Sequence, residues 1–218
     1  MKRVVLLDID GTLVDSNALH AEAWHEALAH FGFEVGLQKL RDMIGMGGDK
    51  VLPAAVGLHE GDALFEKISA MRSDSFLRSY LPRVRALPGA RALVERILDR
   101  GHRPVVASSA KARELEGLLS RANLLDLLPM RTGADDAASS KPDPDIVRAA
   151  LIQAGAAPTE AVMVGDTPYD LKAAARARVG FIGVRSGGYD DNGLRGALAV
   201  YEDARALCDS FDESPIAR

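Results

Sequence analysis

Two aspartates close together near the start of the chain, in Asp8-Ile9-Asp10-Gly11-Thr12, are the first residues able to do chemistry. Side chains two apart in extended backbone point the same way, so both carboxylates leave on one side and Gly11 lets the chain turn behind them. Such a pair suits a hard cation, which takes oxygen ligands, or a nucleophile beside a general acid/base. An Asp-Gly turn that merely closes a strand is the competing reading. A second acidic site lies in Val164-Gly165-Asp166-Thr167-Pro168-Tyr169-Asp170. Thr167 is a fitting N-cap and Pro168 a fitting first helical residue, which puts Asp166 at a helix amino terminus. Asp170 either joins that site or only completes the cap from three residues on. Ser108 and Ser109, followed by Lys111, place hydroxyls and backbone N–H groups ahead of a helix, where they form an anion cradle or another N-cap. Lys141 stands where Pro142 and Pro144 stiffen the chain, as a phosphate ligand or a surface charge.

Each of these groups needs an element to deliver it. Short β-branched apolar runs at residues 3–9, 103–107, 130–132, 161–165, 180–184 and 199–200 read as strands, and residues 90–99, 112–122, 144–154 and 168–177 as helices between them. Such alternation predicts an α/β fold with a doubly wound, mostly parallel sheet, whose ligands bind beyond the carboxyl ends of the strands. Residues 16–82 break the rhythm. Leu19, Ala23, Ala27 and Phe31, then Leu64, Ile68 and Met71, recur at helical spacing, and nothing there reads as a strand. About 65 residues is too long for a loop, so the expectation is an inserted all-helical domain over 16–82, with the α/β core formed by 1–15 and 83–212. Residues 213–218 read as a frayed tail.

The chain has 218 residues, with 27 Lys and Arg against 31 Asp and Glu, a net charge of −4. That length supports a core without disulfides, and the mild acidity offers no basic footprint for nucleic acid or an anionic membrane. Lone Cys208 precludes an intrachain disulfide, and Asp8 and Asp10 cut the amino-terminal apolar run short of a signal sequence. A cytoplasmic protein acting on a small molecule, as monomer or weak homodimer, is the reading these features favour.

Taken in chain order, the four sites resemble the motifs of the haloacid dehalogenase superfamily. Asp8–Thr12 matches its Asp-x-Asp-Gly-Thr, Ser108 its Ser/Thr after a strand, Lys141 its lysine, and Gly165-Asp166 with Asp170 its Gly-Asp-x-x-x-Asp. An insert between the first and second motifs marks the members with a helical cap. The resemblance implies a phosphatase in which Asp8 attacks phosphorus and Asp10 serves as general acid and base. It implies Mg²⁺ held by Asp8, the backbone carbonyl of Asp10 and Asp166, with Asp170 in support, and phosphoryl oxygens gripped by Thr12, Ser108, Ser109 and Lys141. Within the family the chain looks like the phosphoglycolate phosphatases. The alternative is a phosphomutase of the β-phosphoglucomutase type, which shares the opening seen here as Asp15, His20 and Trp24 but carries a cap-loop arginine absent from residues 44–50. In that loop Gly47, Gly48 and Lys50 are candidates for substrate selection, with His20 and Trp24 beside them. The histidines of the first cap helix, His20, His25 and His30, otherwise read as surface or packing residues. A binding protein on a retained phosphatase scaffold is the remaining class, and the intact catalytic set argues against it.

Overall fold

The protein is described by a computed structural model over residues 3–217. Residues 1 and 2 of the expected core, and residue 218 of the expected tail, lie outside the described residues.

The main sheet has six strands: β1 (Val4–Leu7), β4 (Arg103–Ala107), β5 (Arg131–Thr132), β6 (Ala161–Gly165), β7 (Gly180–Val184) and β8 (Ala199–Tyr201). Their order is β5-β4-β1-β6-β7-β8 and every pairing is parallel. Parallel strands are covered on both faces, which is why these runs are apolar throughout rather than alternating with polar residues. Alternation instead assigns each residue to a face. Val5 and Leu7 enter a cluster with α5 (Ala90–Asp99), α6 (Ala112–Arg121) and α9 (Ala204–Asp209), whereas Val4 and Leu6 enter another with α7 (Asp145–Ala154) and α8 (Pro168–Arg176). At roughly 25 cal/mol per Å² of apolar area, these two interfaces supply the main force holding the sheet domain together.

Leu7 pairs with Val106 on one side and Val164 on the other. The chain leaves β1 and returns first on one side, at β4, and later on the other, at β6, so β1 lies at the switch point where an open sheet forms its crevice. That register puts Asp8, Ser108 and Asp166 one or two residues past three adjacent paired positions.

β1 ends at Leu7, short of the expected residue 9, because the chain turns at once: the N–H groups of Thr12, Leu13 and Val14 all point to the carbonyl of Ile9. Between β1 and β4 come α1 (Asn17–His30), α2 (Leu37–Arg41), α3 (Gly48–Val56) and α4 (Ala63–Ser75), then a π turn over Phe76–Tyr80. These helices enclose a third cluster containing Trp24, Leu28, Leu40, Val51, Leu52, Phe65 and Ile68. Two short strands go beyond the sequence reading. β2 (Val14–Asp15) and β3 (Arg85–Ala86) pair antiparallel, tying together the segments that enter and leave the helical region. They are too short to show periodicity.

The tail expectation is corrected. Ile216 is fully buried in the cluster of α5, α6 and α9, and the Ser214 hydroxyl donates to the Phe211 carbonyl at 2.7 Å. One large apolar side chain in so short a segment carries no periodic signal, so only the packing reveals it.

Candidate active site

The turn after β1 brings the two acids of the first motif to different neighbours. Asp8 is 5% exposed; its backbone N–H donates to the Val164 carbonyl at 3.0 Å, extending the ladder one step beyond the strand. Fully buried Lys141 lies 2.5 Å from Asp8 Oδ1 and 2.7 Å from Asp170 Oδ1. The Thr12 hydroxyl stands between Asp8 Oδ2 at 3.2 Å and Asp166 Oδ1 at 3.1 Å, and its single proton serves one of them at a time. Gly11, at φ +76°, has no alternative here: a Cβ would meet Asp166 Oδ2 at 2.2 Å.

Asp166, fully buried, also accepts from the Asn17 amide at 3.0 Å. Asp170 has both roles that the sequence left open. Its Oδ2 accepts from the Thr167 N–H at 3.1 Å and hydroxyl at 2.6 Å, and the Thr167 hydroxyl accepts from the Asp170 N–H in return, a complete capping box. Its Oδ1 faces Lys141. Asp8, Asp166 and Asp170 each offer a carboxylate oxygen, and these oxygens lie within 4.8 Å of one another.

One buried lysine does not neutralise three buried carboxylates. Burial, more than the opposing field of Lys141, pushes the Asp8 carboxyl up to about 7, with Asp170 and Asp10 adding repulsion. Burial followed by repulsion from Asp8 and Asp170 drives Asp166 well above the ordinary range. Lys141 is also penalised by burial, but Asp170 and Asp8 outweigh the penalty and hold it charged. A hard divalent cation fits this donor set, because it takes carboxylate oxygens and supplies the missing positive charge. Both Asp170 oxygens already have partners, which suits a supporting position for that residue.

Asp10 faces the cavity. Its Oδ1 accepts from the Ser16 hydroxyl at 2.5 Å and lies 2.8 Å from His20 Nε2. Burial pulls the carboxyl upward, yet His20, Ser16 and Arg72 outweigh it and lower its pKa. His20 is packed, buried and stacked on Phe76 at 3.9 Å, and beyond the packing reading it is aimed at Asp10. Helical periodicity shows that a residue faces inward and not what it meets there. Arg72 Nη2 contacts His20 Nδ1, and because a guanidinium only donates, the neutral ring carries its proton on Nε2, facing Asp10.

Ser108 is fully buried and its hydroxyl accepts from the Ala110 N–H at 3.1 Å, whereas the Ser109 hydroxyl reaches across to the Gly45 carbonyl at 3.1 Å. The loop over residues 44–50 is pinned to the sheet domain. The Gly47 N–H donates to Ser140 Oγ at 2.9 Å, the Ser140 N–H to Asp49 Oδ2 at 3.1 Å, and Lys50 pairs with Asp143 at 2.8 Å. Gly47 is needed for close approach, since a Cβ would lie 2.6 Å from that of Ser140. Lys50 is engaged with the segment that carries Lys141. Gly48 sits over Trp24, which is almost wholly buried in the helical cluster while also lining the cavity.

Asp8, Asp10, His20, Trp24, Gly47, Gly48 and Ser109 share one cavity of about 250 Å³ between the helices and the sheet. The sequence reading passed over Arg72 and Glu114, which also line it. Arg72 on α4 meets Glu114 on α6 at 2.6 Å, and Ser73 donates to the same acid at 2.6 Å. Both look like ordinary charged positions of amphipathic helices, and only their meeting across the cleft sets them apart.

Known proteins resemble the chain along most of its length. A family described as haloacid dehalogenase-like hydrolase matches residues 5–184. The chain is 33% identical to the phosphoglycolate phosphatase of Rhodospirillum rubrum, over 96% of this chain and 90% of the relative. It is 26% identical to a fructose-1-phosphate phosphatase of Escherichia coli, over 83% of this chain and 95% of that one. The crystal structure of a hydrolase from Pseudomonas syringae superposes with a TM-score of 0.87 at 31% identity, covering 96% of this chain and 98% of the other.

Proposed function

Because the chain belongs to the haloacid dehalogenase-like hydrolases and is a phosphatase, we propose that it hydrolyses a small phosphorylated metabolite with Mg²⁺ through a phosphoryl group carried on Asp8, in the manner of phosphoglycolate phosphatases. The observation that carries this reading is the pairing of Asp8 with buried Lys141 at 2.5 Å, beside a cavity that Asp10 also lines.

The Asp8 carboxylate attacks phosphorus, the ester P–O bond breaks, and the leaving alkoxide takes a proton from Asp10. Water then attacks the aspartyl phosphate, giving its proton to Asp10 and regenerating Asp8. His20, Ser16 and Arg72 favour ionised Asp10, the form the second half needs; the first half requires that it first take up a proton. Lys141, Thr12, Ser108 and the N–H groups after Ser108 would hold the phosphoryl oxygens. Asp8 and Asp166 would hold Mg²⁺, together with the Asp10 carbonyl and with Asp170 in support; bound there, the ion supplies charge neutralisation for an anionic substrate beside anionic side chains. Residues 16–82 act as a cap that excludes water from the cleft.

The mutase alternative is not favoured, because residues 44–50 carry no arginine for a sugar phosphate. The deciding experiment is phosphate release from an aryl phosphate and a panel of phosphometabolites, with and without Mg²⁺, for the native protein and Asp8→Asn. Mg²⁺-dependent turnover that Asp8→Asn abolishes is expected. Absence of turnover in both would overturn the proposal, and isomerised sugar phosphate in place of free phosphate would favour the mutase.

A further inference from the structure

The part of the cavity away from Asp8 is bounded by groups that, apart from the influence of Arg72 on Asp10, take no part in the proposed phosphoryl transfer. Four carboxylates border it, Asp49, Glu60, Glu114 and Asp135, against two cations, Arg72 and Lys111. The Arg72 charge is already matched by Glu114, which is 2% exposed. Burial pulls the Glu114 carboxyl up, but Arg72, His20 and Ser73 outweigh that and keep it ionised. Lys111 is exposed at the rim. Asp49 and Asp135 accept from backbone N–H groups, of Ser140 and Ala112; Lys50, 3.8 Å from Asp49, is shared with Asp143, which Arg176 also holds, so Asp135 and Glu60 are the bordering acids left without a paired cation among the described residues.

With the phosphoryl group at Asp8, the alcohol part of a substrate points toward these acids. Two donors wait there on one face of α4. Ser69 Oγ and Arg72 Nε are buried, three residues apart, and without a hydrogen-bond partner among the described residues. Buried donors are normally paired, and both residues border the cavity, so a bound molecule is the available source of acceptors. A hydroxyl group meets both requirements: its oxygen accepts from Ser69 or Arg72 while its proton goes to a carboxylate. A second anionic group would meet the negative charge of Glu60 and Asp135, opposed at the rim by Lys111.

We infer that the alcohol part of the substrate is a neutral, hydroxylated polyol or sugar and not a carboxylic acid. This rests on the phosphatase reading above. The cavity of about 250 Å³ lies below the roughly 300–1,000 Å³ of pockets for drug-sized ligands and also has to hold the phosphoryl group beside Asp8, which keeps the alcohol small. Of the substrates named for the two curated relatives, the chemistry of fructose 1-phosphate fits this wall and that of phosphoglycolate does not.

The test is kcat/KM with Mg²⁺ for 2-hydroxyethyl phosphate against 2-phosphoglycolate, which differ only in CH₂OH versus COO⁻, with fructose 1-phosphate and an aryl phosphate alongside. A preference of at least about tenfold for the hydroxyl compound is expected, from repulsion between the added carboxylate and the bordering acids. Glu114→Gln, which unmasks the Arg72 charge at nearly constant shape, narrows that gap at least threefold; if this variant does not fold, Glu60→Gln at the exposed rim gives the same comparison. Preference for 2-phosphoglycolate, or a gap unchanged in the variant, overturns the inference while aryl phosphate turnover leaves the phosphatase standing. Loss of aryl phosphate turnover as well overturns both.

Discussion

Asp8→Asn is expected to make the metal-free protein more stable at alkaline pH while removing its activity. Moving the Asp8 carboxyl from 3.8 to about 7 is worth on the order of 4 kcal/mol, at about 1.4 kcal/mol per tenfold change in acidity. An unfolded chain ionises this group near 3.8, whereas the folded one keeps its proton until about 7, so the native state binds more protons throughout that window. Stability therefore falls as pH rises from about 4 to about 7, and no further change comes from this group above it. Asparagine carries no charge and removes the slope. It also removes one partner of Lys141, but Asp170 still holds that lysine at 2.7 Å, so a net gain of about 1–3 kcal/mol at pH 8 remains after the lost contact. Urea unfolding in the presence of a chelator, at pH 4.5 and pH 8, measures this directly. Asp8 alone should cost the native protein roughly 3–4 kcal/mol between the two, on top of the slope that Asp166 contributes, so Asp8→Asn should lose markedly less. Mg²⁺ at a hundredfold over its Kd should restore about 2.7 kcal/mol to the native protein at pH 8 and little to the variant. Parallel pH slopes for the two proteins, or a variant less stable at pH 8, would refute the electrostatic account of the site.

His20→Asn removes the strongest influence holding the Asp10 carboxyl low, so the limb of the pH–rate profile that reports Asp10 should move upward, with kcat down roughly 10–100-fold from lost orientation; an unshifted limb in steady-state kinetics would contradict the assignment. Gly47→Ala drives a methyl group into Ser140 and should raise KM several-fold while changing the melting temperature little, since the strain falls on the loop contact and not on a core cluster. Ile216→Ala should cost about 2–5 kcal/mol in denaturant unfolding, because the side chain is fully buried in the cluster of α5, α6 and α9; a loss under 0.5 kcal/mol would show that the carboxyl-terminal segment is not docked.

The acids of the site were legible where a strand end fixed them. Asp8 and Asp166 follow apolar runs, and the parallel register that sets them side by side is implied once both runs belong to one sheet. Thr167 and Pro168 were legible because capping is local chemistry. Asp170 shows the limit of that logic, since the same carboxylate completes the cap with one oxygen and faces Lys141 with the other. His20, Arg72 and Glu114 were not legible as a group. They lie on α1, α4 and α6, and their association depends on how the helical region sits over the sheet, which no short-range pattern encodes. β2 and β3 escaped for a different reason: two residues are too few to alternate, and the pair exists only because the chain crosses the same place twice.

The loop over residues 44–50 fastens to Ser140 and Asp143, the flanks of Lys141. Cap and core are thus not freely interchangeable parts. A cap grafted from a relative would have to bring its own groups for Ser140 and Asp143, or it would settle over a lysine segment that has lost its brace. Diversification of such a cap is then confined by a few polar contacts far smaller than the cavity it covers.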